Sequence, residues 1–194
     1  MIKVSILMPA FNAERFIRNA LASIPKTDEI EIIVVNDGST DKTAAIAKEF
    51  DVKLIDRKKN MGVGYSRKEA LAAAQGEYIM FFDSDDTLNT ENFKKVVEML
   101  DGTDIVYYDM INNNGEIYHL NDYYKTKVVG MVKFIRREYA NKFDYPALPR
   151  YEDVTFNEML QSLPHTEKFS NLIVVNYNNP RYDSTSAKWL RGEL

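Results

Sequence analysis

The sequence predicts an α/β protein built on a doubly wound, mainly parallel sheet. Three observations lead there. Short apolar runs alternate with segments of helical period across the first hundred residues. The runs are continuously apolar, as in a sheet covered on both faces. Polar clusters follow the first, second and fourth runs directly, where the carboxyl ends of parallel strands would lie and where such sheets bind ligands.

Lys3 to Met8 is the first strand, closed by Pro9, and Asn12 is read as the cap of a helix running to about Ser23. Glu31 to Val35 is the second strand, ending in the turn and cap residues Asn36-Asp37-Gly38-Ser39-Thr40-Asp41. A helix to about Phe50 and a strand from Val52 to Ile55 come next. Gly62 and Gly64 introduce a helix reaching about Gln75, and Tyr78 to Phe82 is stopped by Asp83-Ser84-Asp85-Asp86. Beyond Leu100 the alternation weakens. Strands are expected at Asp104 to Met110, Met131 to Arg136 and Leu172 to Tyr177, and helices at Arg137 to Lys142 and Asp153 to Leu163. Asn112-Asn113-Asn114-Gly115 reads as a hairpin turn. With no repeat or linker, the chain reads as one domain over 1–194, with a ligand-binding half (1–100) and a second half (101–194).

Composition narrows the function. A net charge of −4 over 194 residues disfavours a nucleic-acid partner, and the basic cluster Arg57-Lys58-Lys59 reads as a solvated loop. The absence of cysteine excludes disulfides and thiolate metal sites and fits a cytoplasmic protein. No run approaches the roughly 20 apolar residues of a membrane span, so lipid contact would be peripheral.

Four patches carry candidate chemistry. Asp83, Asp85 and Asp86 crowd carboxylates at the end of a buried strand, where like charges repel unless a cation compensates. Hard oxygen ligands suit Mg²⁺ or Mn²⁺; the plain alternative is a solvated loop with Asp86 capping the next helix. Asp37 at a strand end can accept from a base N–H, with Gly38 permitting close backbone approach; it can equally be part of a turn. Asn60 to Arg67 is a glycine-bearing loop before a helix, suited to phosphate but lacking the third glycine of the dinucleotide fingerprint. Glu152-Asp153 opens a helix, as a cap or as a general base.

In their order along the chain these patches resemble family 2 inverting glycosyltransferases, which have the GT-A fold (nucleotide-diphospho-sugar transferase-like). VSILMPAFN from Val4 is similar to that family's opening strand and nucleotide loop, and EIIVVNDGSTDKT from Glu31 to its second motif, with Asn36 where aspartate is commoner. Asn60 to Ala74 with Gly76-Glu77-Tyr78-Ile79 resembles the third block. Asp83-Ser84-Asp85 looks like the DXD motif, and Tyr151-Glu152-Asp153 the catalytic ED motif. Val132 to Glu138 is similar to the segment before the acceptor region, and Tyr177 to Ser186 to a tail with S-x-S.

The resemblance implies a metal-dependent transferase that moves a sugar from a nucleotide-sugar donor, favouring UDP, with Mn²⁺ or Mg²⁺ as cofactor. Pro9, Phe11 and Glu14 would line the nucleotide pocket, and Asp37 would accept from the base. Arg67 would lie near the nucleotide or phosphates. Asp83, with Ser84 beside it, would hold the ribose or metal-bound water, and Asp85 would contact the metal. Asp153 would be the base; Arg181, Ser184 and Ser186 would close over the diphosphate. Lys133 and Arg150 are further cations near the site. The acceptor would be a glycan, a lipid-linked sugar or another hydroxyl compound, as in surface polysaccharide synthesis. The chain is short for the family, which leaves room for a partner subunit or homo-oligomer to complete the acceptor side. The rival readings are a nucleotidyltransferase and a non-catalytic nucleotide-sugar or glycan-binding module. The first would want a basic glycine-rich loop after strand one, and the second would dispense with Asp83, Asp85 and Asp153.

Overall fold

The computed structural model describes residues 1–120, 132–148 and 151–178. These residues share a nine-stranded sheet. In chain order the elements are β1 (Val4–Ala10), α1 (Ile17–Ser23), β2 (Ile30–Asp37), α2 (Thr43–Ala47), β3 (Lys53–Arg57), α3 (Val63–Ala73) and β4 (Tyr78–Phe81). They continue with β5 (Thr87–Leu88), α4 (Thr90–Glu98), β6 (Ile105–Asn112), β7 (Ile117–Tyr118), β8 (Lys133–Arg136), α5 (Arg137–Ala140), α6 (Glu152–Gln161) and β9 (Glu167–Tyr177).

The strands lie in the order β3-β2-β1-β4-β8-β6-β9-β5, with β7 beside β6. The first four are mutually parallel, and every residue of β1 and β4 is buried, as their unbroken apolar runs require. Leu7 faces Ile33 on one side and Phe81 on the other. β1 thus has β2 on one flank and β4 on the other, so the chain switches direction of growth there. A crevice outside the carboxyl ends of β1 and β4 follows from that topology.

The later strands depart from simple alternation. β8 runs antiparallel between β4 and β6, pairing Met80 with Phe134 and Tyr107 with Lys133. Its first residue, Lys133, therefore reaches the edge where β4 ends. β6 and β9 are parallel, with register shifts around Asp109. Among the described residues no helix is long and apolar enough to cross a membrane.

One expected cap, Asn12, and one alternative cap, Asp86, are corrected. Helix α1 begins at Ile17, after a turn in which the Phe16 and Ile17 amides donate to the Ala13 carbonyl. Asn12 takes a left-handed φ of 48° and its side chain accepts from the Thr40 amide, tying two loops together. Asp86 caps no helix either. It is buried and accepts from the Asn178 amide at 2.8 Å. The cap of α4 is Asn89, whose side chain accepts from the Asn92 amide and contributes about 1 kcal/mol.

Candidate active site

The site is assembled at the carboxyl edge of β1, β2 and β4. After β4 the chain leaves as Phe82-Asp83-Ser84-Asp85-Asp86; Phe82, Ser84 and Asp86 are buried, while Asp83 and Asp85 are half-buried. Helix α6 is held by an aromatic cluster: the Phe156 ring lies 6.1 Å from Phe81 and 4.6 Å from Tyr145, and Phe81 and Tyr145 are 5.3 Å apart. Each such pair contributes on the order of 1 kcal/mol beyond simple burial. Phe81 ends β4, so the cluster fixes the start of α6 beside the Asp83 turn.

That start carries Glu152 and Asp153. It is preceded by Tyr151, a left-handed, exposed residue with φ 57° whose side chain caps nothing. Glu152 turns inward and is buried; Asp153 stays half-buried, and its Oδ1 accepts from the Val154 amide at 2.9 Å. The N-cap position itself is held by Tyr151, and Asp153 satisfies one amide of the first turn.

Arg67 of α3 bridges the two acidic segments. Its guanidinium donates to Glu152 Oε1 at 2.6 Å and to Asp83 Oδ1 at 2.9 Å. Burial alone would lower its hold on the proton; Asp83, Glu152 and Asp153 outweigh that and keep the guanidinium above its ordinary value. Burial likewise pushes the Glu152 carboxyl up, against the pull of Arg67.

Asp37 ends β2 and is buried. Its Oδ1 accepts from the Met61 amide at 2.9 Å and the Arg57 guanidinium at 3.0 Å, and its Oδ2 from the Gly62 amide at 2.8 Å. A carboxylate has about four acceptor positions, so capacity remains for one more donor. Arg57 also binds Glu69, at 2.6 Å. This corrects the reading of Arg57-Lys58-Lys59 as a solvated loop for Arg57 alone: Lys58 and Lys59 are exposed beyond β3, whereas Arg57 closes β3 with its side chain only 14% exposed and braces Asp37. Parallel pairing of Asp37 with Arg57 across β2 and β3 is the signal that would have found it.

Pro9 is buried within β1 and Phe11 is exposed just beyond it. Glu14 is exposed, and its carboxylate accepts from the Lys42 amide at 3.0 Å near the start of α2. Asn36 is buried and donates to Asp56 at 2.7 Å. Lys133 lies under α6, its Nζ 2.5 Å from Asn157 Oδ1. Arg150, Arg181, Ser184 and Ser186 lie outside the described residues.

Among the described residues no three carboxylate or imidazole side chains cluster as a self-sufficient metal site. Asp83 and Asp85 nevertheless offer hard oxygen donors on a partly open turn. A pair of carboxylates suits an ion that takes its other ligands from phosphate and water, as Mg²⁺ does.

A parallel core sheet, a topological switch at β1 and acidic groups along its carboxyl edge define a GT-A type glycosyltransferase fold. The Glycosyl transferase family 2 model matches residues 5–166, and the chain belongs to that family. The poly(ribitol-phosphate) β-N-acetylglucosaminyltransferase TarS of Staphylococcus aureus is 35% identical over 126 residues, 59% of this chain and 22% of TarS. The glycosyltransferase GlyA of Streptococcus pneumoniae is 34% identical over 155 residues, 72% of this chain and 22% of GlyA. The chain thus spans about a fifth of the length of these relatives. In three dimensions it matches the S. aureus TarS fragment 1-349 in complex with UDP-GlcNAc with a TM-score of 0.85 at 24% identity. That match covers 96% of this chain and 61% of that one.

Proposed function

We propose that the chain carries the donor-binding and catalytic core of an inverting glycosyltransferase that uses a nucleoside-diphosphate sugar, a UDP-sugar in the first instance. The observation that carries this reading is the joining of two acidic segments 69 residues apart, Asp83 and Glu152, through Arg67. That contact sets Asp153 beside the turn suited to the donor's diphosphate. Likeness to TarS, solved with UDP-GlcNAc, supports the choice of donor. Residues 1–100 hold the donor and 101–194 form the acceptor side, with acceptors of the glycan, lipid-linked sugar or other hydroxyl class.

The residues divide the work. Asp37, braced by Arg57, accepts from the base N–H, and Pro9, Phe11 and Glu14 line the nucleotide pocket. Asp83 and Asp85 would hold Mn²⁺ or Mg²⁺, which neutralises diphosphate charge when bound. Asp153 takes the proton from the acceptor hydroxyl. The hydroxyl oxygen attacks the anomeric carbon from the face opposite the leaving group, the bond from that carbon to the diphosphate oxygen breaks, and the configuration inverts.

A donor screen tests this. Calorimetry and product release with UDP-, GDP-, CDP- and dTDP-sugars, with and without Mn²⁺, should select one UDP-sugar, bound with metal and slowly hydrolysed. Asp153→Asn should cut turnover by roughly 10²–10⁴-fold and leave donor affinity near native. Failure of folded protein to bind any nucleotide sugar would refute the reading.

A further inference from the structure

Lys133 is a buried cation that the reaction just described leaves without a task. It is the first residue of β8, 3% exposed, at the edge where β4 ends. Its Nζ donates to Asn157 Oδ1 at 2.5 Å and lies 5.5 Å from the centre of the Tyr107 ring. Asn157 stands four residues after Asp153 on α6, one helical turn along the same face. The charged groups that face Lys133 are Asp153 from α6 and Glu167 from β9; β6 contributes the Tyr107 ring.

An ammonium in this place is costly. Burying one charge forfeits several kcal/mol of hydration unless partners repay it. Glu167 is already engaged by His165, Gln161 and Tyr107. An apolar side chain of similar length would fill the same space without that cost. The charge is instead placed on Asn157, one turn of α6 beyond Asp153.

We propose that Lys133 is a positioning residue for Asp153: its ammonium, seated beneath α6, holds Asn157 and fixes the carboxylate one turn away in its proton-accepting place. The inference rests on the reading of Asp153 as the base. Burial lowers the Lys133 pKa to about 7, against the opposing pull of Asp153 and Glu167. The ammonium is therefore charged below neutrality and loses its proton just above it. Transfer should consequently fall along an alkaline limb that begins near pH 7.

The test is the pH profile of UDP-sugar turnover in the native chain, Lys133→Met and Lys133→Arg, with UDP affinity by calorimetry and folding by circular dichroism. Lys133→Met is expected to lose 10- to 100-fold in kcat, to keep UDP affinity within about threefold, and to lose the alkaline limb. Lys133→Arg, charged at every accessible pH, should restore most of the rate and carry the limb beyond pH 9. A Met variant with native kcat, or one whose alkaline limb is unchanged, overturns the proposal. If the Met variant does not fold, the Arg variant decides alone, and an unmoved limb overturns it. A native chain that turns over no UDP-sugar refutes the functional reading itself and this inference with it; an active native chain with insensitive variants refutes this inference only.

Discussion

The Arg67 guanidinium and the Glu152 carboxylate meet at 2.6 Å although 85 positions separate them in the chain. Their side chains are 7% and 5% exposed, so neither charge can fall back on water if its partner is lost. The pair locks α3 to the start of α6, and Asp83 adds a second acceptor on the same guanidinium.

Removing one half of this pair should therefore be far worse than removing both. Arg67→Met leaves Glu152 buried and unpaired, and is expected to cost about 3–5 kcal/mol in urea denaturation. Adding Glu152→Met to that variant should recover a large part of the loss, because the surviving group is then apolar. A single Arg67→Met cost below about 1 kcal/mol would mean that water reaches the pair.

Much of this was legible in the sequence, for local reasons. β1, β2 and β4 announce themselves because a parallel strand covered on both faces carries an unbroken apolar run, as ILM, IIVV and YIMF are; the edge strand β3, KLIDR, is only partly buried. Asp83, Asp85 and Asp153 each have a plain use as loop or helix-start carboxylates, and it is their order among the other motifs that makes them candidates. What stayed hidden is non-local. Insertion of β8 between β4 and β6 depends on pairing over long separations, and β5 is only two residues. The bracing of Asp37 by Arg57 requires knowing that β2 and β3 are neighbours in register. Helix α4 had a readable signature, with Phe93 and Val96 on one face and a cap at Asn89. The acidic cluster before it offers Asp86 as a rival cap, and only the fold separates the two.

Gly38 offers a test of the turn that follows β2. Its φ is +71°, and a Cβ there would meet the Lys59 carbonyl carbon at 2.5 Å and the Asn60 nitrogen at 2.6 Å. Both obstacles are backbone, so the side chain cannot be accommodated by a rotamer change. Gly38→Ala is expected to destabilise by about 2–3 kcal/mol. It should also weaken UDP binding, because pushing residues 59–60 away draws the Met61 and Gly62 amides off Asp37. Native stability together with native UDP affinity would contradict the close packing of this turn.

If Asp85 contributes a ligand to the metal, Asp85→Asn should act on Mn²⁺ before it acts on the nucleotide. Replacing a carboxylate by a neutral amide removes both charge and hard-donor character. Titration of Mn²⁺ into the protein with UDP should then show at least a tenfold weaker metal response. Metal-free UDP binding should change little. An unchanged Mn²⁺ response would remove Asp85 from the ligand set.

His165 Nε2 lies 2.7 Å from Glu167 Oε1 and Nδ1 lies 2.8 Å from the Leu163 carbonyl. Both ring nitrogens thus face acceptors, and only the imidazolium can donate to both. Burial opposes that charge, but the Leu163 carbonyl and Glu167 prevail and raise the pKa above the ordinary histidine value. A group whose folded pKa is raised contributes stability that is fully present below its unfolded pKa, near 6.5, and that disappears as pH rises through the folded value. His165→Gln should therefore destabilise most at pH 5.5, by about 1 kcal/mol, and progressively less toward pH 8.5. Urea midpoints of the two proteins across that range measure the difference directly. A gap that is constant with pH would show that His165 remains neutral in the folded chain.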